Sequence, residues 1–173
     1  MSNVSQFIGS GWVPLETIEL TGAVTTVDFD SNIDDTFNNY VVTGTYTLSS
    51  GVNIRCKLKT GDPSATIDTG YRYLTTSPSS TSSSTFTIFS YAIVTAYSGS
   101  FVAYFMNLRS SDAFKSIDSQ ATGYTSANGG TMHALGYKNA LLDTSIINGI
   151  QLYPTPGSNI NTGKFTLYGI KEL

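Results

Sequence analysis

Asn53-Ile54-Arg55-Cys56-Lys57-Leu58-Lys59 changes from polar to apolar at every step. A period of two places Ile54, Cys56 and Leu58 on one face of an extended chain and Arg55, Lys57 and Lys59 on the other. Helical winding would mix the two sets around one axis, so the stretch predicts a strand with one face in a core. Working outward, similar patterning in segments rich in Val, Ile, Thr, Tyr and Phe predicts strands at 12–20, 24–29, 40–48, 71–76, 86–96, 101–108, 114–122, 131–137, 146–153 and 164–170. Turn residues divide them: Thr21-Gly22, Ser49-Ser50-Gly51 and Gly61-Asp62-Pro63, with Tyr97-Ser98-Gly99-Ser100 read as a hairpin turn. The Ser/Thr-rich residues 77–84 have nothing to bury and are expected to form an exposed, mobile loop. Helix is confined to two single turns, one over 33–38 capped by Asn32 and one over 139–143. Pro14 cannot donate to a central ladder, which places the first strand at an edge or on a bulge. Many antiparallel strands without amphipathic helices bury their apolar faces against another sheet, so the expected fold is all-β: a two-sheet antiparallel β-sandwich, jelly-roll-like.

The 173 residues suit one domain. Residues 1–10 lack alternation and end at a Gly9-Ser10-Gly11 break, so they read as a flexible N-terminal arm before a single domain over 11–173. Cys56 is the only cysteine and His133 the only histidine, which excludes an internal disulfide and a thiolate-rich zinc site. Nine basic against 12 acidic residues argue against a surface that neutralises phosphates, so no nucleic-acid partner is expected. Charged residues are only 12% of the chain, about half the usual share. No apolar run approaches the ~20 residues of a membrane span, and no signal peptide is visible, so no membrane insertion is expected.

Few residues suggest chemistry. Asp28, Asp30, Asn32 and Asp34 present oxygen at alternate positions, as the start of a calcium loop does. The sixth and twelfth places from Asp28 hold Ile33 and Asn39, where an EF-hand needs Gly and Glu, so strand-end and turn-capping aspartates are the plain reading. His133 lies in an alternating stretch with no G-x-S-x-G elbow in the chain, and reads as a surface or interface residue. Asp112 with Asp118, or Asp62 with Asp68, could in principle supply paired carboxylates, but both pairs fall near turns where solvated Asp is expected. No catalytic residue and no cofactor is expected. Cys56 reads as a small buried hydrophobe. The Arg55, Lys57, Lys59 ridge either pairs with acids on a neighbouring strand, such as Glu16 or Glu19, or contacts an acidic surface on another protein. Tyr71, Tyr73 and Tyr124, near strand ends, are candidates to stack on sugar rings, against the ordinary use of aromatics in cores and subunit contacts.

Gly11-Trp12-Val13-Pro14-Leu15, Val27-Asp28-Phe29 and Phe37-Asn38-Asn39-Tyr40-Val41-Val42 together resemble the opening of β-sandwich domains in virion proteins of tailed bacteriophages. Asp68-Thr69-Gly70-Tyr71 is similar to a mid-domain turn of that group, and 148–153 with 163–170 to its closing strand pair. The resemblance implies a non-enzymatic structural protein on the exterior of a phage particle, assembled in the host bacterial cytoplasm. It implies a capsid decoration protein, commonly a homotrimer, bound to the major capsid protein or another virion protein. The arm, with Phe7 and Ile8, or the Arg55, Lys57, Lys59 ridge would then be the anchor. The alternative it implies is a tail or head fibre tip that binds a host receptor or surface glycan.

Overall fold

A computed structural model describes residues 11–50, 54–61, 65–68, 71–74, 81–83, 86–89, 97–125 and 131–171. Twelve strands follow in order: β1 (Trp12–Leu20), β2 (Val27–Phe29), β3 (Asn39–Leu48), β4 (Ile54–Thr60), β5 (Tyr71–Leu74), β6 (Thr81–Ser83), β7 (Phe86–Phe89), β8 (Tyr97–Met106), β9 (Lys115–Thr125), β10 (Thr131–Leu141), β11 (Ile147–Pro154) and β12 (Ile160–Ile170). They form an eight-stranded sheet, β1-β12-β3-β8-β9-β10-β5-β6, and a four-stranded sheet, β2-β11-β4-β7, with every pairing antiparallel. Setting aside the hairpins β5–β6 and β9–β10, the remaining eight strands run first, eighth, third, sixth in one sheet and second, seventh, fourth, fifth in the other. That order is two nested Greek keys, a jelly roll. The two hairpins extend only the large sheet, on the side of β8.

Inner faces follow the predicted alternation. Ile54, Cys56 and Leu58 are fully buried on β4, and Phe29, Tyr40, Phe105, Phe165 and Ile117 fill the space between sheets. Truncating one of these phenylalanines to Ala would cost about 3–5 kcal/mol. Pro14 satisfies both expectations: β1 is an edge strand, and its register with β12 shifts between Pro14 and Glu16.

Tertiary pairing overrides several local signals. Tyr97-Ser98-Gly99-Ser100 is no turn; it lies inside β8, paired with β3 and, from Gly99, with β9. Gly99 is there for clearance, because a Cβ would sit 2.6 Å from the Tyr46 hydroxyl. The helical turn expected over 139–143 is absent because β10 continues to Leu141 against a β9 long enough to pair with it throughout. The other, over 33–38, is a polar turn in which the Thr36 amide donates to Asp34 Oδ1 (2.8 Å) while the Tyr40 hydroxyl donates to the Asp34 carbonyl (2.8 Å). Asn32, the expected cap, instead donates to Glu16 Oε2 (3.0 Å). Within the expected loop 77–84, Thr81–Ser83 is β6, a strand that borrows its order from β5.

Candidate functional site

The outer face of the small sheet carries the basic ridge, and the structure corrects its reading. Lys59 is buried rather than displayed, and its ammonium donates to Asp28 Oδ1 at 2.6 Å and to Asp30 at 2.9 and 3.0 Å. Asp28 lies on β2, two strands from β4 with β11 between them. The crossing is open because the β11 residue opposite Lys59 is Gly149, where a Cβ would meet Asp30 Oδ1 at 2.8 Å and Lys59 Cδ at 3.0 Å. Gln151 adds a second donor to this group, to Asp28 Oδ1 at 2.8 Å. Burial works to raise the Asp28 carboxyl, but the hydrogen bonds from Lys59 and Gln151 outweigh it and hold it below 3.8. Lys57 pairs with Asp68 and lies 6.0 Å from the Tyr153 ring centroid. The acids that serve the ridge are therefore Asp28, Asp30 and Asp68, in place of Glu16 and Glu19.

The same contacts disperse the four oxygen residues considered for calcium. Asp28 and Asp30 share Lys59, Asn32 binds Glu16, and Asp34 closes its own turn. Among the described residues no group of three or more His, Cys, Asp or Glu converges to hold a metal ion.

The outer face of the large sheet divides into two regions. Its half away from Gly11 and Lys171 is a field of hydroxyls: Thr47 pairs with Thr162 (2.7 Å) and Ser100 with Thr122 (2.8 Å). These side chains line a shallow open trough of about 690 Å³, with Glu19 and Lys164 on one rim. The other half is aromatic. The Trp12 ring lies 5.8 Å from Tyr104 and 5.5 Å from Tyr168, centroid to centroid, although Tyr104 stands on β8, three strands from β1. Val41, on this outer face between Tyr168 and Tyr104, is fully buried.

Register carries the apolar character along the end of the sheet. Trp12 pairs with Ile170, Ile170 with Asn39, and Met106 with Ser116 on β9, so β1, β12, β3, β8 and β9 all meet this end. Lys115 and Leu141 are the last pair of β9 and β10, and Phe114 and Leu142 stand just beyond it. Phe114 is 56% exposed, Leu142 47%, and Ile146 and Trp12 each 43%; these are the exposed large hydrophobic residues among those described, and all four lie at this end. The loops beneath them are firmly tied. The fully buried Lys115 donates to the carbonyls of Ser110, Ala113 (3.1 Å) and Thr144 (3.4 Å). Arg109 bonds Asp35 and the Ile147 carbonyl (3.0 Å). The exposed apolar groups are thus held out by a built scaffold.

Other candidates are placed as follows. Cys56 is fully buried and its thiol pushed up by burial, which makes it unreactive. Tyr71 and Tyr73 fall on β5 opposite Leu141 and Asn139, Tyr124 on β9 opposite Met132, and His133 on β10 opposite Gly123. Asp112 lies in the loop before β9 and Asp118 within that strand. Phe7, Ile8 and Asp62 lie outside the described residues. The exposed apolar end escapes sequence reasoning because Phe114 and Ile146 read as the first residues of strands and Leu142 as part of a helical turn, whereas Phe114 lies in the connection before β9 and Leu142 and Ile146 in the one between β10 and β11, and only the jelly-roll closure gathers them with Trp12. No family model matches the chain, and no curated protein matches it.

Proposed function

We propose that this chain is a non-enzymatic structural protein of a tailed-phage virion, a decoration protein that binds the capsid exterior through the apolar end of its sandwich. The observation that carries the reading is the gathering of Trp12, Phe114, Leu142 and Ile146 at one braced end. Cores of protein interfaces are rich in aromatic and poor in charged residues, and the chain's 12% charge accords with that. The jelly roll is a common architecture of viral capsid domains, which supports the reading by analogy of fold alone. The resemblance of the opening and closing strands to phage virion domains supports it further, and so would assembly as a homotrimer. Gold-labelled antibody against the recombinant protein should decorate the heads of particles made in cells that carry the gene. Adding Phe114→Asp and Leu142→Asp should lower occupancy at least about tenfold, as expected when central interface anchors are lost. Absence of label from every particle would sink the virion reading.

A fibre-tip module that binds a host glycan is the second reading, favoured by the hydroxyl-lined trough. It predicts label at the tail tip and saturable binding of host polysaccharide by the isolated protein.

A further inference from the structure

Of the three cations on the β4 ridge, two are neutralised within the fold. Asp68 answers Lys57, and Asp28 with Asp30 answers Lys59, but among the described residues no carboxylate pairs with Arg55. The Arg55 Nε is buried and has no hydrogen-bond partner, although the residue as a whole is partly exposed. A buried donor left unpaired costs stability, and native structures keep few of them. We infer that Arg55 anchors an interaction surface whose occupant is a carboxylate side chain on a partner protein.

Placement and charge carry it. Ile54 and Cys56 are fully buried on either side of Arg55, so the strand itself turns that residue to the outer face. Its partner on β11 is Tyr153, whose ring centroid lies 6.0 Å from the Lys57 ammonium. Arg and Tyr are the residue types enriched where protein interfaces hold their binding energy. Because Asp68 already neutralises Lys57, this corner carries the single uncompensated positive charge of Arg55. One carboxylate balances it, and the planar guanidinium donates two parallel hydrogen bonds to a carboxylate once Nε turns out of the sheet. A chain of phosphates would instead bring repeated negative charge beside Asp28, Asp30 and Asp68. Tyr153 is the penultimate residue of β11, whereas the exposed Ile146 stands just before its first. The corner is therefore at the opposite end of that strand from the apolar groups, and the inference does not rest on the capsid reading.

Proton–nitrogen correlation spectra of the full chain resolve arginine Nε–H groups, and the Arg55 signal is identified by its loss in Arg55→Met. Titration with a blocked tripeptide carrying glutamate between two threonines should shift that signal saturably. The Arg109 Nε–H, already bound to Asp35 Oδ1 at 3.0 Å, should stay in place. The same tripeptide with glutamine should need at least about tenfold more for an equal shift, as expected when a charge-assisted contact is lost. Sodium acetate should need at least about threefold more than the glutamate tripeptide, since it gains nothing from the Tyr153 ring. No shift, or an equal response to the glutamate and glutamine tripeptides, would overturn the inference. So would acetate acting as well as the tripeptide, which would make a free small carboxylate the occupant, or inorganic phosphate acting at lower concentration than either. The fold gives an independent reading: Arg55→Met removes an unpaired donor and should keep or raise the urea midpoint. A lower midpoint would assign Arg55 to stability and overturn its role as an anchor.

Discussion

Gly149 and Lys59 act as one device. A side chain at position 149 would occupy the passage through which the Lys59 stem crosses β11 to reach Asp28 and Asp30. Lys59→Met retains most of the stem and removes the charge, leaving two carboxylates without their cation. Full burial would make that loss about 3–5 kcal/mol, but Asp28 and Asp30 side chains are 28% and 33% exposed, so about 1–3 kcal/mol is expected. Gly149→Val should cost a similar amount by overpacking. The pH dependence has a definite sign. The Asp28 carboxyl is held below its unfolded value, so its contribution is complete above about pH 4 and is lost as pH falls through the lower folded value. For Lys59, burial works to lower its value but the hydrogen bonds to Asp28 and Asp30 prevail and raise it above 10.5, so that contribution holds at lower pH and is lost only as pH rises through the folded value. Urea midpoints should therefore fall more steeply from pH 5 to pH 3 in wild type than in Lys59→Met. Equal slopes would show that the bridge does not set acid stability.

Elements were legible where a local period reported a face. The β4 stretch announced its buried side because Ile54, Cys56 and Leu58 needed no knowledge of their neighbours, and Pro14 announced an edge because its ring has no donor. What a residue meets across the sheet was not legible. The acids for Lys59 come from β2, yet the strand between them, β11, lies some ninety residues farther along the chain, so neither sequence spacing nor hairpin logic leads there. Gly99 read as a turn for the same reason, since the need for clearance arises only when Tyr46 of β3 is placed against it. The candidate site was least visible, because its parts come from the ends of four different elements. Lys115 is the element-scale test. Its ammonium joins the connection 107–114 to 142–146 through backbone carbonyls, so Lys115→Met should lower stability by about 1–3 kcal/mol. Limited proteolysis should then cut first in those two connections; unchanged cleavage would mean that the loops are ordered without the lysine.

At the scale of the molecule, the jelly roll makes the last strand an internal one. β12 lies between β1 and β3, so the large sheet cannot close until nearly the whole chain is present. Such non-local pairing folds slowly, in about milliseconds to seconds. A chain ended after Ser158 should show no cooperative unfolding by urea, and a sigmoidal transition from that truncated chain would contradict the dependence on β12. The same closure brings Gly11 and Lys171 to one end, while the turn between β11 and β12, at Pro156 and Gly157, is exposed at the other. For display engineering this polarity is practical. A peptide placed directly before Gly11 or directly after Lys171 would crowd the braced apolar end, whereas an epitope inserted at Pro156–Gly157 would project from the opposite pole.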